Sequence, residues 1–219
     1  KTDRFSEKYV SLSPYQYGAN NPVNNIDVNG DSIWYTRNGD IVTMHVTAKI
    51  FNNSSDNINM ARAAKDIVSD IKSTYEGKFE WSDNKTYNLK VDMDLKVATS
   101  MKDVENSDHL FVLADSDSKG ARGATSMLGG KVMTLASSDF ANNNWLSNNL
   151  SYNKTFTATH EFGHAIGLSH SQNPFNIMKQ GGVVHNSNSN QRVIMLQQQN
   201  NLNNNLVVGS YEKSVYYWK

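Results

Sequence analysis

Apolar and polar residues alternate from Ile41 to Phe51, with Val42, Met44, Val46, Ala48 and Ile50 on one side and Thr43, His45, Thr47 and Lys49 on the other. A period of two puts the first set on one face, so the segment reads as a half-buried strand with His45 turned to solvent. A shorter run, Ser32–Thr36, precedes it, and Arg37-Asn38-Gly39-Asp40 between them carries Asn-Gly, the strongest short hairpin signal. The period then changes. Met60, Ala64, Ile67, Val68, Ile71 and Tyr75 recur every three to four residues and predict an amphipathic helix over 57–76, capped by Ser55 or Asp56 at its start and Gly77 at its end. Alternation returns where Val91, Met93, Leu95 and Val97 are interleaved with Asp92, Asp94 and Lys96, and Leu110–Ala114 is an unbroken apolar run suited to a strand covered on both faces. Gly129–Leu135 reads as a further strand, Thr155–Leu168 as a helix with Phe156 and Ile166 in the core, and Asn190–Asn204 as a closing helix. In that last helix Val193, Ile194, Leu196 and Leu202 are expected to pack inward, and the aromatic tail from Val207 to Trp218 needs a surface to cover. Strands and helices in this order predict an α+β fold.

Composition narrows the class of protein. The chain has 219 residues, enough for one good-sized core or a compact domain with a short appendage. Its 21 basic and 21 acidic residues cancel, which removes the electrostatic case for nucleic acid or an anionic membrane. With no cysteine, disulfides and thiolate ligands are both excluded. No apolar stretch approaches the ~18 residues of a membrane span. Asparagine clusters at Asn142–Asn144, Asn148–Asn149 and Asn200–Asn205 read as solvated loops or a polar helix end.

The chemistry is concentrated in His160-Glu161-Phe162-Gly163-His164-Ala165-Ile166-Gly167-Leu168-Ser169-His170. At 3.6 residues per turn, His160 and His164 project from one helix face and can reach one metal ion. Glu161 lies roughly 100° round from His160, where it can touch a water at the metal without ligating it, as a general base must. Gly167 lets the backbone leave the helix sharply, and His170 returns as third ligand. Three protein ligands leave one tetrahedral position open, which distinguishes a catalytic Zn²⁺ from a structural one.

HExxHxxGxxH is the metzincin signature, and the chain resembles that clan of zinc endopeptidases. Ser171 follows the third histidine and Met178 lies eight positions beyond it, and both resemble the matrixins. The resemblance implies a zincin-like fold: a mixed twisted sheet, a long backing helix, an active-site helix, a methionine-containing turn at Met178 beneath the metal, and a C-terminal helix. Lys179 and Gln180 stand where related families place a tyrosine ligand, so no fifth ligand is expected. It further implies that Gly130, Lys131, Val132 and Met133 lie at the sheet edge above the cleft, where an extended protein or peptide substrate can pair with unsatisfied N–H and C=O groups. Lys179-Gln180-Gly181-Gly182-Val183-Val184 would help form the pocket for the side chain after the scissile bond. His185 and His109 are read as surface or packing residues. Asp115-Ser116-Asp117-Ser118-Lys119-Gly120 is oxygen-rich and falls where matrixins hold structural ions. Its twelfth position is Ser126 instead of glutamate, so no EF-hand is expected; an ordinary polar turn is the preferred reading and a structural calcium ion the lesser one.

The first thirty residues carry a second resemblance. Arg4 to Tyr9, Ser13-Pro14-Tyr15-Gln16-Tyr17, Asn20-Asn21-Pro22-Val23-Asn24 and Ile26-Asp27-Val28-Asn29-Gly30-Asp31 together resemble the closing segment of an RHS repeat-associated core. In that family the following variable domain is commonly a toxin or effector. The resemblance divides the chain into a leader, residues 1–31, and a catalytic domain, residues 32–219. Starting at Lys1 without a methionine or a signal peptide, the chain reads as part of a larger bacterial precursor, secreted or displayed at the cell surface. A cognate immunity protein is then an expected partner, and the catalytic domain is expected to be a monomer. Two alternatives stand beside this: a zincin-shaped binding module without turnover, which an intact Glu161 argues against, and a housekeeping secreted peptidase.

Overall fold

A computed structural model describes residues 33–105, 108–115, 122–141, 151–181 and 186–205, with the side chains of 151–154 and 198–205 excepted. The RHS-like leader, residues 116–120 of the candidate ion loop, the asparagine clusters between 142 and 149, residues 182–185 with His185, and the aromatic tail lie outside the described residues.

The expected hairpin forms as β1 (Ile33–Asn38) and β2 (Ile41–Asn53), antiparallel, with Asn38 opposite Ile41 and Gly39 at φ +59°. Positive φ at the turn is what Asn-Gly supplies. Val42, Met44, Val46, Ala48 and Ile50 are all buried, as their alternation predicts. His45 is on the other face, stacked on Trp34 and bridging Thr36 and Asp92.

Helix α1 (Met60–Tyr75) buries Ala63, Ala64, Ile67, Ile71 and Tyr75. Its caps differ from those expected. Asn59 caps the start by accepting from the Arg62 N–H, because the Asp56 carboxylate is instead engaged by the Ser137 hydroxyl at 2.6 Å. Glu76 ends the helix in extended backbone, and Gly77 begins β3 (Gly77–Glu80). Gly77 sits at φ +145°, and a Cβ there would lie 2.8 Å from the Arg192 guanidinium. Glycine is needed for that close approach more than for a cap.

Strand β4 (Thr86–Ala98) runs parallel to β2 and buries Tyr87, Leu89, Val91 and Met93. Beyond Met93 the alternation stops describing burial: Val97 is exposed and Ala98 is buried against a second cluster. β5 (His109–Ala114) is buried at every position and pairs parallel with the second half of β2, whose first half on that side is taken by β1. β6 (Gly123–Thr125) and β7 (Val132–Ala136) complete a sheet in the order β3-β4-β2-β5-β7-β6, with β1 on β2.

This order corrects one expectation. Val132 and Met133 are not at an edge, because β7 pairs parallel with β5 on one side and antiparallel with β6 on the other, while Gly130 and Lys131 lie in the connection before β7. Lys131 O accepts from Leu110 N, and Val132 O accepts from Ser126 N. The outer strand is β6, three residues too short to declare themselves by period.

One face of the sheet carries the main core, closed by α1 and by α2 (Ser151–Ala165) through Ala158, Phe162 and Ala165. On the other face Ala98, Val104, Leu110, Val112, Ala114 and Val132 form a smaller cluster with Phe51 and Met101. His109 is buried, and burial, aided by the Lys131 charge, holds its imidazole down to about 3. It is a packing residue. The closing helix, α3 (Ser189–Asn205), packs Val193 and Leu196 against the main core as expected, but it leaves Ile194 exposed and sends Gln191, Arg192 and Met195 inward; the side chain of Leu202 lies outside the described residues.

After β7 the chain turns through Ser137–Asp139, and Asp139 is only 5% exposed. One carboxylate oxygen lies 2.7 Å from Arg122, while Oδ2 has no hydrogen-bond partner. Burial raises this carboxyl to about 6 against the opposing pull of Arg122. Between pH 4 and pH 6 the unfolded chain has lost this proton and the folded chain has kept it. Rising pH therefore favours unfolding there, by roughly 3 kcal/mol in all. Asp139→Asn removes that loss. The melting-temperature difference, variant minus parent, should grow by about 10 °C from pH 4 to pH 7, and a constant difference would exclude Asp139 as the cause.

Candidate metal centre and active site

Helix α2 has two unlike faces. Ala158, Phe162 and Ala165 are buried in the core, and His160 and His164 lie on the face toward the third histidine. The helix ends where expected: Leu168 N donates to Gly163 O, and Gly167 N, at φ +91°, donates to His164 O. This paired closure is the Schellman ending, with glycine in the left-handed position. It turns the chain so that His170 comes back against the two helical histidines.

Each helical imidazole is oriented by a backbone carbonyl. His160 Nδ1 lies 2.7 Å from Ile177 O, and His164 Nδ1 lies 2.7 Å from Leu168 O. A carbonyl only accepts, so Nδ1 carries the proton in both rings and each Nε2 presents a lone pair. His164 Nε2 and His170 Nε2 are 3.2 Å apart, and one nitrogen from each of the three rings lies within 4.8 Å of the others. Tetrahedral Zn–N bonds of ~2.0–2.1 Å span about 3.3 Å between ligand atoms, so these donors fit zinc. Burial holds the His160 imidazole down to about 4, despite its bond to Ile177, and His170 is lowered too, by burial and then by His164. Neutral rings are what a metal requires.

Glu161 projects about 100° round the helix from His160. It is 7% exposed, and its Oε2 accepts a 2.7 Å hydrogen bond from the Thr125 hydroxyl. Burial raises its carboxyl above the usual range, with the Thr125 bond and His164 opposing.

Met178 is fully buried. Its sulfur lies against Gly163, where a Cβ would come within 2.3 Å, and 3.9 Å from the Tyr75 hydroxyl. That hydroxyl donates to Thr159 O. Met178 N donates to Asn176 Oδ1 and Met178 O accepts from Ser171 N, which closes the loop after His170. Asn176 and Gln191 exchange side-chain amide bonds at 2.8 and 2.9 Å, fastening this loop to the first turn of α3.

All of His160, Glu161, His164, Gly167, His170 and Met178 therefore come together, whereas Val132 and Met133 lie one strand inside the edge and Gly130 and Lys131 precede the strand. Asp115 alone of the candidate ion loop is described, and among the described residues the three histidines are the group disposed to hold a metal. The sequence reading missed Thr125, Gly163, Tyr75, Asn176 and Gln191. Gly163 could have been noticed, since glycine in a helix interior costs about 1 kcal/mol against alanine and asks for a reason. The others carry no local signal.

A family model described as Matrixin matches residues 34–200. A search of curated proteins finds no match. Among solved structures the chain is similar to metalloproteinase-II from Bacteroides fragilis, at TM-score 0.42 and 15% identity over 69% of this chain and 52% of that one. The chain thus spans about half the length of that protein. It is also similar to archaemetzincin from Methanopyrus kandleri, at TM-score 0.43 and 14% identity over 71% and 96% of the two chains. Archaemetzincin from Archaeoglobus fulgidus, in complex with malonate, has TM-score 0.36 and 18% identity over 68% and 90%. Likenesses this loose add no weight to the family match.

Proposed function

The chain belongs to the matrixin family of zinc metallopeptidases, with the zincin-like α+β fold that membership entails, and from that premise we propose that it is an endopeptidase with Glu161 as general base. The observation that carries the proposal is the division of labour around α2: its two imidazoles and that of His170 converge, while the adjacent carboxylate is buried, separately held and outside the ligand group.

His160, His164 and His170 would hold the ion. A bound Zn²⁺ supplies Lewis acidity, bringing the pKa of water near 7 and polarising the scissile carbonyl. Glu161 takes a proton from the attacking water and returns it to the leaving amine as the C–N bond breaks. A carboxyl raised by burial binds that proton more readily than an exposed one. Met178, packed under the histidines, is proposed as the floor of the site. The outer edge of β6 is proposed as the place where an extended peptide pairs, which holds substrates by backbone and tolerates many side chains.

For the biological role, the RHS-like residues 4–31 support a larger proposal: the catalytic domain is the effector portion of a bacterial secreted or surface precursor, neutralised in its producer by an immunity protein. Among the described residues no helix is long and apolar enough to cross a membrane.

Digestion of a denatured proteome, read as newly formed N-termini, tests the activity. Internal cleavages should appear with the zinc-loaded protein, vanish with dipicolinate and return with stoichiometric Zn²⁺. Cleavage that survives complete zinc removal, or none at all from the loaded protein, refutes the proposal.

A further inference from the structure

Strand β6 contacts α2 at the position of Glu161. Thr125 Oγ1 lies 2.7 Å from Glu161 Oε2 and 3.0 Å from Glu161 O. Two residues earlier, on the same side of the strand, stands Gly123. A Cβ at Gly123 would lie 2.3 Å from Thr157 Cγ2 and 3.0 Å from both Cγ and Oε1 of Glu161. One position therefore supplies a hydroxyl to the carboxylate, and the other leaves the room that the carboxylate occupies.

We propose that β6 is the seat of the general base: Thr125 is a positioning residue that fixes the Glu161 carboxylate through Oε2, and Gly123 keeps the adjoining space open. The proposal rests on the endopeptidase reading for its catalytic consequence. Its physical reason is rotameric. A glutamate side chain has three rotatable bonds, and its terminal torsion is broad, so a carboxylate tethered only by its own helix samples several orientations. A charge-assisted bond from a hydroxyl on a hydrogen-bonded strand selects one of them. Thr125 itself is anchored, because its backbone is in register with Met133 of the fully buried β7. Its β-branched side chain has little freedom at χ1. The oxygen that Thr125 engages is taken up by positioning, and Oε1 is left for proton transfer. In this reading the strand whose outer edge receives the peptide also holds the base, so substrate alignment and base alignment share one element.

The test compares Thr125→Val and Thr125→Ser with the parent as zinc-loaded protein. Valine keeps the shape and removes the donor, whereas serine keeps the donor. Thr125→Val should lower kcat about 10- to 100-fold with KM within about twofold, the range expected when a reacting group is held loosely. Serine should restore kcat to within about threefold of the parent, and bound zinc should match in all three. Crystal structures supply a readout independent of turnover: a single Glu161 conformer on Thr125 in the parent, and a displaced or split carboxylate in the valine variant. Parent-like kcat in Thr125→Val, or an unmoved Glu161 carboxylate there, overturns the proposal. If the parent itself cleaves nothing, the endopeptidase reading fails, and the Glu161 conformers still decide whether β6 is its seat.

Discussion

Replacing Glu161 with glutamine is expected to lower kcat by about 10³-fold, within the range that general acid–base catalysis contributes. Glutamine has the same shape and can still accept from the Thr125 hydroxyl through its amide oxygen. What it loses is the capacity to take a proton. Zinc should stay at one ion per chain, because the two helical imidazoles are oriented by Ile177 O and Leu168 O, and the Gly167 turn delivers His170, without help from position 161. The variant should fold at least as firmly as the parent, since it no longer buries an ionisable carboxyl that is 7% exposed. Zinc content, melting temperature and kcat measured on one preparation separate a lost base from a lost site. Peptidase activity within tenfold of the parent would remove Glu161 from the mechanism.

Replacing Arg192 with methionine is expected to be the most damaging single change to stability outside the metal ligands, at about 3 kcal/mol or more. Its guanidinium donates from Nε to Tyr75 O at 2.8 Å and from Nη2 to Glu76 O at 2.9 Å, with Nη1 3.4 Å from Lys78 O. These carbonyls belong to the end of α1 and the start of β3, where a helix leaves its last carbonyls unpaired. Arg192 is 9% exposed, and burial lowers the affinity of its guanidinium for a proton, so the donors answer groups that water reaches poorly. Methionine would fill part of the volume and leave those carbonyls without donors, each at about 1–3 kcal/mol. In a chain of this size the loss corresponds to a fall of about 10 °C in melting temperature. Lysine should not restore it, because a single ammonium cannot reach three carbonyls arranged for a planar fork. A fall below about 2 °C on substitution would mean that the clasp contributes little.

Arg192 also shows why part of the fold escaped the sequence. From local spacing, α3 was expected to turn Val193, Ile194 and Leu196 inward; Val193 and Leu196 do pack on the core, but Ile194 is exposed and Gln191, Arg192 and Met195 are buried. Hydropathy placed Val193 and Leu196 against the core but could not show Gln191 and Arg192 going inward, because there the helix packs on polar backbone at the end of α1 and on Asn176, and only polar side chains satisfy those groups. Val97 failed for a related reason. Alternation holds through Met93 while one face of β4 meets the main core, then breaks where Ala98 joins the cluster on the opposite face. β6 is too short to show any period, and that hid the true sheet edge.

The sequence by itself determined the hairpin of β1 and β2, the apolar face of α1, the doubly buried β5, the three histidines with Glu161, and the glycine turn that delivers His170. Each depends on residues within about a dozen positions, where the periods of helix and strand and the φ of glycine dictate geometry directly. Only the tertiary structure decided which of the described strands is outermost, which hydroxyl reaches the Glu161 carboxylate, and what clasps the end of α1. Thr125 is 36 positions from Glu161, Tyr75 is 84 from Thr159, and Arg192 is 117 from Tyr75. Such pairs are settled by how the whole chain packs. Their hydrogen bonds form only after distant elements meet, and nothing in the local pattern of either partner records the other.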